Sequence, residues 1–398
     1  MDKFCFTIAD CFIFIRNGAN IKQDKKKRGY PITRIETTSN NVFNRDKVGY
    51  AGIENITPYQ DYVLEDGDLL MSHINSLPYL GRVVYYDRKQ NETIIHGMNL
   101  LRLKAIRTRL HPRYAIFLFS SVRFKNKILA IAKKSVNQAS FSINDLKKIS
   151  IELPTVEQQS HIVNKLVGIQ KIIELRRAQL AKLDELVKCR FVELFGDPVL
   201  NERKWKTKTL KELTSKVGSG ATPKGGDSAY KDTGISLIRS LNVHNNYFTI
   251  KALAHIDDAQ AEQLSNVEVH IGDVLLNITG ASVARCCIVP DHILPARVNQ
   301  HVCIIRCNTE INPLFLERLF TSKNFQALLW YVAEGGGGTR QALTKQQIEN
   351  FTIIVPPYTL QNTFAAFVRR IDKLRFVIQQ SLDEAQKLFD SLMQEYFD

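Results

Sequence analysis

The stretch that most constrains this chain is a heptad pattern between residues 156 and 195. Apolar residues recur there at alternating steps of four and three: Ile162, Leu166, Ile169, Ile173, Leu180, Leu183, Val187 and Leu194. Arg176 and Arg190 fill the two open positions. Pro154 precedes the run, and Gly196 and Pro198 follow it, as is typical of helix ends. The pattern predicts one long helix whose narrow apolar stripe needs a partner helix.

The same pattern returns 202 residues later in the chain. The matching positions are Phe364, Val368, Ile371, Arg375, Ile378, Leu382, Ala385, Phe389, Leu392 and Tyr396. Pro154 corresponds to Pro356, and Phe195 corresponds to Phe397. A single stripe also fits an ordinary core helix, but two copies at one offset favour a coiled coil within the chain. The first helix carries a second apolar stripe that a helix pair alone would leave exposed: Val163, Ile172, Leu175, Leu186 and Val192.

Composition indicates a globular protein that meets a polyanion. The 398 residues are 44% hydrophobic and carry a net charge of +14, which suits two or three domains and favours nucleic acid as the partner. A merely basic surface, or a basic face for a protein partner, is the alternative. There is no apolar run of membrane-spanning length and no signal peptide pattern. The seven cysteines show no framework spacing, so we expect reduced thiols and a cytoplasmic protein.

The repeat extends beyond the helices. The loop at Asn17–Lys22 matches Ser219–Lys224, the turn at Gly67–Asp68 matches Gly272–Asp273, and residues 142–154 match 344–356. Strands mixed with short helices predict an α/β fold of the mixed α+β kind. We expect two similar domains in a pseudo-twofold repeat, with two long helices forming an antiparallel coiled coil. The predicted boundaries are 1–153 and 199–355 for the domains, and 154–198 and 356–398 for the helices.

Catalytic signatures are weak throughout the chain. Gly218–Lys224 resembles a phosphate loop but lacks the Gly-Lys-[Ser/Thr] spacing. Val355-Pro356-Pro357-Tyr358 resembles an amino-methyltransferase tetrapeptide, but Val355 cannot hydrogen-bond a target amine, so we interpret it as a strand-to-helix joint. Cys303 and Cys307 lie near His301 without paired Cys-x-x-Cys units, so no metal site is predicted.

Basic loops supply the candidate DNA-binding residues of the first half. Flexible lysines and arginines suit phosphate contacts, which place a protein on DNA without reading sequence: Lys22, Lys25, Lys26, Lys27 and Arg28. A solvated charged loop is the alternative. Arg34 follows a predicted strand, where an arginine can either reach a guanine edge or only brace the domain.

The second half offers a matching set. Arg239 corresponds to Arg34, and the loop equivalent to the first basic loop holds Lys224 and Lys231. After Arg239 comes a run of side chains suited to base edges: Asn242, His244, Asn245 and Asn246. Arg340 ends a glycine-rich loop and is a candidate phosphate contact. The two halves differ at most loop positions, so we expect two different half-sites.

End to end, the chain resembles a specificity subunit of a type I restriction-modification system. The resemblance rests on Leu153-Pro154 with Glu157-Gln158-Gln159, on Phe195-Gly196-Asp197-Pro198, on Gly220-Ala221-Thr222-Pro223, on Gly336–Arg340 and on Val355-Pro356-Pro357. The second helix departs from the pattern, because Thr359-Leu360-Gln361 replaces Glu157-Gln158-Gln159.

The resemblance implies a non-catalytic, DNA-binding protein with two target-recognition domains, each reading half of a split asymmetric sequence in double-stranded DNA. The helix pair would set the gap and dock two methyltransferase subunits, with restriction subunits joining through the complex. No cofactor is expected in this chain; S-adenosylmethionine, ATP and magnesium would belong to partner subunits. Two rival interpretations remain: a methyltransferase or nuclease with an unrecognised active site, and a coiled-coil adaptor that does not bind DNA.

Overall fold

The structure is a computed structural model that describes residues 3–22, 24, 27–136, 138–223, 226–335 and 341–398. It divides into two compact units, one of residues 1–177 with 380–398 and the other of residues 178–379. Each long helix is therefore shared between the units. The two dividing points, after Arg177 and after Gln379, are themselves 202 residues apart, so they obey the repeat found in the sequence.

The first unit is a mixed α+β domain, in agreement with the predicted fold class. Its elements are β1 (Phe4–Thr7), α1 (Ile8–Cys11), β2 (Phe12–Asn17), β3 (Pro31–Ile32), β4 (Gly49–Tyr50), β5 (Leu69–Met71), β6 (Ile74–Asn75), β7 (Val83–Tyr85), β8 (Leu101–Ala105), α2 (Pro112–Ser120), α3 (Val122–Ile131), β9 (Lys133–Lys134), β10 (Ala139–Ser140), α4 (Ile143–Lys147), β11 (Ser150–Leu153) and the start of α5 (Val156–Phe195). An antiparallel sheet in the order β2-β8-β5-β7 forms its centre, and β1 pairs with β11.

The second unit repeats this plan. Its elements are β12 (Thr207–Thr209), α6 (Leu210–Leu213), β13 (Thr214–Ser219), β14 (Ile235–Ile238), β15 (Val243–His244), β16 (Tyr247–Phe248), β17 (Ala254–Ile256), α7 (Asp258–Gln263), β18 (Glu268–Val269), β19 (Val274–Asn277), β20 (Cys286–Ile288), β21 (Ala296–Val298), β22 (Val302–Cys307), α8 (Pro313–Phe320), α9 (Lys323–Glu334), α10 (Lys345–Asn350), β23 (Thr352–Ile354) and the start of α11 (Tyr358–Phe397). The sheet β13-β22-β19-β20 matches the central sheet of the first unit, and a second sheet, β17-β14-β21-β18, lies beside it in this unit.

Two helices follow the central sheet in each unit, α2 and α3 in the first and α8 and α9 in the second. In the first unit, Ser121 ends α2 and its hydroxyl caps α3 by accepting a hydrogen bond from the amide of Phe124. In the second unit, Ser322 stands at the same break between α8 and α9. Ser121 thus satisfies an amide that α3 leaves open, whereas the hydroxyl of Ser322 donates to the carbonyl of Leu319 at 2.6 Å.

The two long helices, α5 and α11, each span forty residues and begin and end 202 positions apart. In the first unit, Arg176 donates to the hydroxyl of Ser381 at 3.2 Å, and Phe397 lies in the same core cluster as Ile162. In the second unit, Asp184 pairs with Arg375, and Phe191 stacks edge-on against Phe364 at 5.5 Å. The residue numbers rise in one helix as they fall in the other, so the helices pair antiparallel.

The heptad stripe predicted from the sequence, called the seam below, faces inward along both helices. Each of its apolar positions is buried or half-buried in the unit to which it belongs. Four members of the second stripe are exposed as expected, namely Ile172, Leu175, Leu186 and Val192. Val163 differs from the prediction, because only 4% of it is exposed. It packs into the core of the first unit, where the first turns of α5 lie against the domain.

The end of each long helix is fixed by an aromatic residue. Phe195 lies 4.7 Å from Phe315 of α8, and Phe397 lies 5.0 Å from Tyr114 of α2, the residue that matches Phe315 in the repeat. Gly196 then takes a φ of +75°, a left-handed conformation that ends the helix at little cost for glycine. The Phe195-Gly196 motif therefore serves the fold.

Candidate nucleic-acid interface

The first basic loop presents cations to solvent. Lys22 and Lys27 are exposed, and Lys27 has a φ of +56°. Arg28 is 72% exposed and its Nε donates to a carboxylate oxygen of Asp24 at 2.9 Å. That pair orients Arg28 without burying it, so its remaining N–H groups can reach a phosphate. Lys25 and Lys26 lie outside the described residues.

Arg34 sits where β3 runs into a short 3-10 turn. Its side chain is 43% exposed, and its Nε lies 3.5 Å from a carboxylate oxygen of Glu36. Its backbone amide donates to the hydroxyl of Thr37 at 2.8 Å, which fixes the backbone there. The arginine is therefore held at the domain surface with its guanidinium accessible.

Arg239 occupies the matching place after β14 in the second unit. Its guanidinium carbon lies 5.0 Å from the ring centre of Tyr230, and one Nη donates to the carbonyl of Ala252 at 2.7 Å. A guanidinium stacked on an aromatic face keeps its other N–H groups in a fixed plane. Lys231 is half exposed and lies 3.4 Å from Asp257. Lys224 and Arg340 lie outside the described residues.

The polar run after Arg239 divides into structural and accessible residues. Asn242 is fully buried: its side-chain oxygen accepts from the amide of Arg239 at 3.0 Å, and its side-chain nitrogen donates to the carbonyls of Thr249 and Lys251. This differs from the prediction, because the buried amide braces the loop and is not presented to a base edge. An asparagine in a sequence suits a loop brace as well as a base contact.

A two-strand hairpin carries the rest of the run. The ring of His244 stacks on Tyr247 at 4.6 Å, with Tyr247 58% exposed. The side-chain oxygens of Asn245 and Asn246 point back to the domain, where they accept from the amide of Cys286 at 3.3 Å and the hydroxyl of Thr321 at 2.7 Å. The hairpin therefore exposes a flat histidine–tyrosine pair, and its two asparagines fix the position of that pair.

A buried glutamine joins each domain to its long helix, a role that the sequence did not reveal. In the first unit, Gln159 is fully buried, accepts from the amide of His111 at 2.8 Å and donates to the carbonyls of Arg109 and Pro154, both at 2.9 Å. Its side chain thus fastens the first turn of α5 to the loop before α2.

Gln361 repeats this arrangement in the second unit. It accepts from the amide of Asn312 at 2.8 Å and donates to the carbonyls of Glu310 and Pro356 at 3.3 and 2.8 Å. The shared feature of the two helix starts is therefore the third residue of the motif, which the second copy keeps although Glu157 and Gln158 are replaced there. Only the matched positions of the two glutamines could have pointed to this joint from sequence.

The repeated glycine–aspartate turns do more than turn the chain. As predicted, Gly67 and Gly272 have positive φ, and each aspartate accepts from the backbone amide three residues before it. In addition, Asp68 pairs with the buried Arg102 at 2.7 Å, and Asp273 accepts two bonds from Arg306 at 2.8 Å. Burial raises the pKa of Asp68 although Arg102 opposes the shift. These ion pairs tie the turns to β8 and β22.

Gly18 and Gly220 have a steric reason to be glycine. A Cβ on Gly18 would overlap the carbonyl oxygen of His96, and a Cβ on Gly220 would overlap that of Val298. The loops that carry Lys22 and Lys224 therefore leave their strands at points where two backbones approach closely. The sequence repeat marked both glycines, and the structure supplies the cause.

The two sequence patterns that resemble catalytic motifs lie in structural elements of the fold. β23 ends at Ile354 and α11 begins at Tyr358, so Val355-Pro356-Pro357 is the strand-to-helix joint that we predicted. Gly218 lies inside β13 rather than in a phosphate loop. Across the described ranges, no group of three or more His, Cys, Asp and Glu side chains is placed to hold a metal. None of the seven cysteines forms a disulfide, and no described helix is long and apolar enough to cross a membrane.

The chain contains two copies of one mixed domain and two copies of a long heptad helix. Both domains carry cationic loops. This arrangement defines a duplicated recognition protein. The model of the type I restriction modification DNA specificity domain matches this chain twice, over residues 4–185 and 202–386. The chain therefore belongs to that family. It is a specificity subunit of a type I restriction-modification system, with two repeated recognition domains.

Known proteins agree with this assignment. The putative type I restriction enzyme MjaX specificity subunit of Methanocaldococcus jannaschii is 29% identical over 97% of this chain and 90% of its own length. The S subunit of a type I restriction-modification system from M. genitalium has the same fold, with a TM-score of 0.64 at 15% identity over 100% of this chain and 96% of that one. A chain from a structural study of complex assembly in the type I restriction-modification system gives a TM-score of 0.55 at 16% identity, over 99% and 97%.

Proposed function

We propose that each recognition domain reads one half of a bipartite, asymmetric target in double-stranded DNA, and that the helix pair sets the gap between the halves. The observation that carries this is the duplication itself. Both helices and both domains repeat at nearly one offset, while the side chains on the recognition loops differ. A repeated scaffold with unlike loops suits two separate readings of sequence on one duplex.

The cationic residues have two roles in this proposal. Lys22, Lys27 and Arg28, with Lys25 and Lys26, bind phosphates of one half-site, and Lys224, Lys231 and Arg340 bind phosphates of the other. Arg34 and Arg239 reach base edges, because they hold matching places just after β3 and β14 and the side chain of Arg34 is 43% exposed. His244 and Tyr247 lie close enough in sequence to Arg239 to contribute to the same half-site.

The chain itself is a non-catalytic subunit in this proposal. Two methyltransferase subunits dock on the helix pair, and restriction subunits join through the complex, in the cytoplasm. S-adenosylmethionine, ATP and magnesium bind to those partners. The exposed apolar residues of the helices support the docking, since Ile172 and Leu175 of α5 recur as Leu374 and Val377 of α11, all about half exposed.

The test is to map methylated bases across the genome of a host that expresses this chain with its methyltransferase subunit. We expect one motif of two unlike halves separated by a fixed gap. Exchanging residues 199–355 for the matching domain of another specificity subunit should change one half of the motif and leave the other. A single palindromic motif would contradict the proposal.

Two further measurements separate the rival interpretations. The purified chain alone, mixed with S-adenosylmethionine and DNA, should transfer no methyl groups, whereas an unrecognised methyltransferase would do so. A gel shift at low salt should show a DNA complex that weakens as salt rises, because phosphate contacts release counterions. An adaptor that does not touch DNA would show no such complex.

A further inference from the structure

A recess of about 240 Å³ opens in the first unit, where the start of α2 meets the first turns of α5. Its wall is formed by Tyr85, Arg107, His111, Pro112, Arg113, Val163 and Asn164. The guanidinium carbon of Arg113 lies 4.5 Å from the ring centre of Tyr85, so the cation is held flat against an aromatic face. Arg107 donates to the backbone carbonyl of Asp66 at 3.4 Å.

The charge in this recess has no counterion among the described residues. Neither Arg107 nor Arg113 forms an ion pair with a described carboxylate. Burial, and then the positive charges of Arg113 and Arg107, lower the pKa of His111. The recess is thus a concave site of positive potential, which is the environment that attracts an anion.

The start of α2 adds to that potential. His111 stands at the N-cap of α2 without a side-chain bond to the helix, and Pro112 has no amide hydrogen, so the amides of Arg113 and Tyr114 are the ones left without a cap. In the second unit, Asn312 takes the same place before α8, and its side-chain oxygen accepts from the amide of Leu314 at 2.9 Å. One helix start is therefore capped by its own chain and the other is not.

The second unit lacks the cations as well. Ile288 stands where the first unit has Tyr85, because both residues pair with the first residue of the matching strand. At the offset that relates α2 to α8, Asn308 replaces Arg107 and Leu314 replaces Arg113. The fold is repeated at this point but the charge is not, so the recess is a property of the first half alone.

The recess opens beside a row of residues on one face of α5. Asn164, Gly168, Ile172 and Leu175 follow each other at steps of four, four and three, which places them on one side of the helix. A Cβ added to Gly168 would meet nothing within 4 Å, and Ile172 and Leu175 are 46% and 55% exposed. A partner protein that packs against this row would bury the apolar side chains of Ile172 and Leu175 and would also contact the recess.

We propose that this recess binds a carboxylate of the methyltransferase subunit that docks along the Asn164–Leu175 row. The inference rests on the proposed function, because it deepens the docking of that partner. A paired set of arginines suits a carboxylate, which they can bind with two parallel hydrogen bonds. A DNA phosphate is the weaker candidate, since the adjoining row is apolar and a duplex backbone offers no apolar surface to cover it.

The test replaces the two arginines by their counterparts from the second half, as Arg107→Asn with Arg113→Leu, in the full chain. Binding of the methyltransferase subunit is then measured by native mass spectrometry and titration. The wild type should bind two copies. The variant should bind one copy as before and the other roughly 30-fold or more weakly, because the partner would cover the two exposed arginines and its carboxylate would then be buried without them. Arg113→Lys, which keeps the charge, should lose part of that affinity.

Lys125→Leu with Lys148→Asn, which removes two exposed positive charges from the same unit, is the matched control and should leave both affinities unchanged. If the double variant bound both copies of the methyltransferase subunit with equal affinity, the proposal that the recess binds a carboxylate would be wrong, and the proposed function would be unaffected. The double variant could instead bind the methyltransferase subunit as before but bind DNA of every sequence more weakly. That result would show that the recess binds a DNA phosphate and not a carboxylate of the partner. A wild type that binds no methyltransferase subunit would remove both proposals.

Discussion

At the residue scale, the buried glutamines are the strongest test of how the domains are held. Gln361→Met keeps the length of the side chain but leaves the amide of Asn312 and the carbonyls of Glu310 and Pro356 without their partner. We expect the free energy of unfolding to fall by about 1–3 kcal/mol, as for other buried polar groups that lose a hydrogen bond. Gln170→Met, on an exposed part of α5, is the control and should have little effect in urea unfolding.

The two anchored arginines should act on separate half-sites. Arg239→Ala should relax recognition of one half, and Arg34→Ala should relax the other, each by about 1–3 kcal/mol of discrimination. Lys22→Ala and Lys26→Ala should instead weaken binding to all sequences and lower the salt slope by about one. Competition binding with DNA altered in one half at a time measures this. Equal weakening of every sequence by Arg239→Ala would assign that residue to phosphate binding or to the fold.

A buried histidine predicts how stability changes with pH. His96 is fully buried, its Nε2 donates to the carbonyl of Leu100 at 2.8 Å, and burial lowers its pKa to about 3. Because the unfolded chain binds this proton at a higher pH than the folded one, stability is lost as pH falls below the unfolded pKa. Between pH 7 and 5 that loss is about 2 kcal/mol for a group with an unfolded pKa near 6.5. His96→Gln should lose less stability over that interval in urea unfolding, and an equal loss would show that His96 is protonated in the fold.

Residue roles were the hardest part to predict from sequence. The arginines and exposed lysines could be named because long cations near loops suit a polyanion. The glutamine joints could not, since a lone glutamine gives no sign of whether it is buried. Asn242 was placed at the DNA for the chemistry of its amide, which the fold uses for a backbone brace. Asp68 was interpreted correctly as a turn residue, but its ion pair with Arg102 comes from another strand.

At the scale of elements, the heptad pattern between residues 156 and 195 coincides with α5, whereas the predicted boundaries of 154–198 also included the flanking residues. The heptad repeat determined the inward face, and Pro154 and Gly196 determined the ends. The periodicity could not show that the first turns of α5 also pack against the first domain, which buries Val163. The short strands were predicted only as a class, because their pairing depends on contacts between distant parts of the chain.

The exposed apolar residues of α11 give a prediction for this element. Leu374 and Val377 are 53% and 61% exposed. Leu374→Ser with Val377→Thr should make the lone chain less prone to aggregate, because less apolar surface meets water, and should weaken its complex with the methyltransferase subunit. Size-exclusion chromatography of the chain alone and with its partner measures both effects. Ile250→Ser removes a residue with 64% exposure from the domain surface, and should change the complex little.

At the scale of the whole molecule, the duplication keeps the backbone and changes the chemistry at the joints. In the second unit, Arg318 of α8 lies against the buried Glu317 and 3.9 Å from Asp372 of α11. The matching position in the first unit is Phe117, which contacts Phe389 and Phe397. The contact with α11 is therefore charged in the second unit and aromatic in the first. The stability of the two units should accordingly depend differently on salt, although their folds are alike.

The two dividing points of the chain allow a direct test of the helix pair as a ruler. Inserting seven residues after Arg177 and seven after Gln379 keeps the heptad phase and leaves the contacts inside each unit unchanged. Each helix lengthens by roughly 10 Å at 1.5 Å per residue, so the preferred gap should grow by about three base pairs. The second half-site also turns by roughly 100° around the duplex, so binding should weaken even at the best new gap. An insertion in one helix alone should be worse, since it must bulge out or shift the seam. The measurement is a selection of preferred gaps from DNA with both half-sites constant and the gap varied in length, and an unchanged gap in the doubly lengthened chain would show that the helices do not set it.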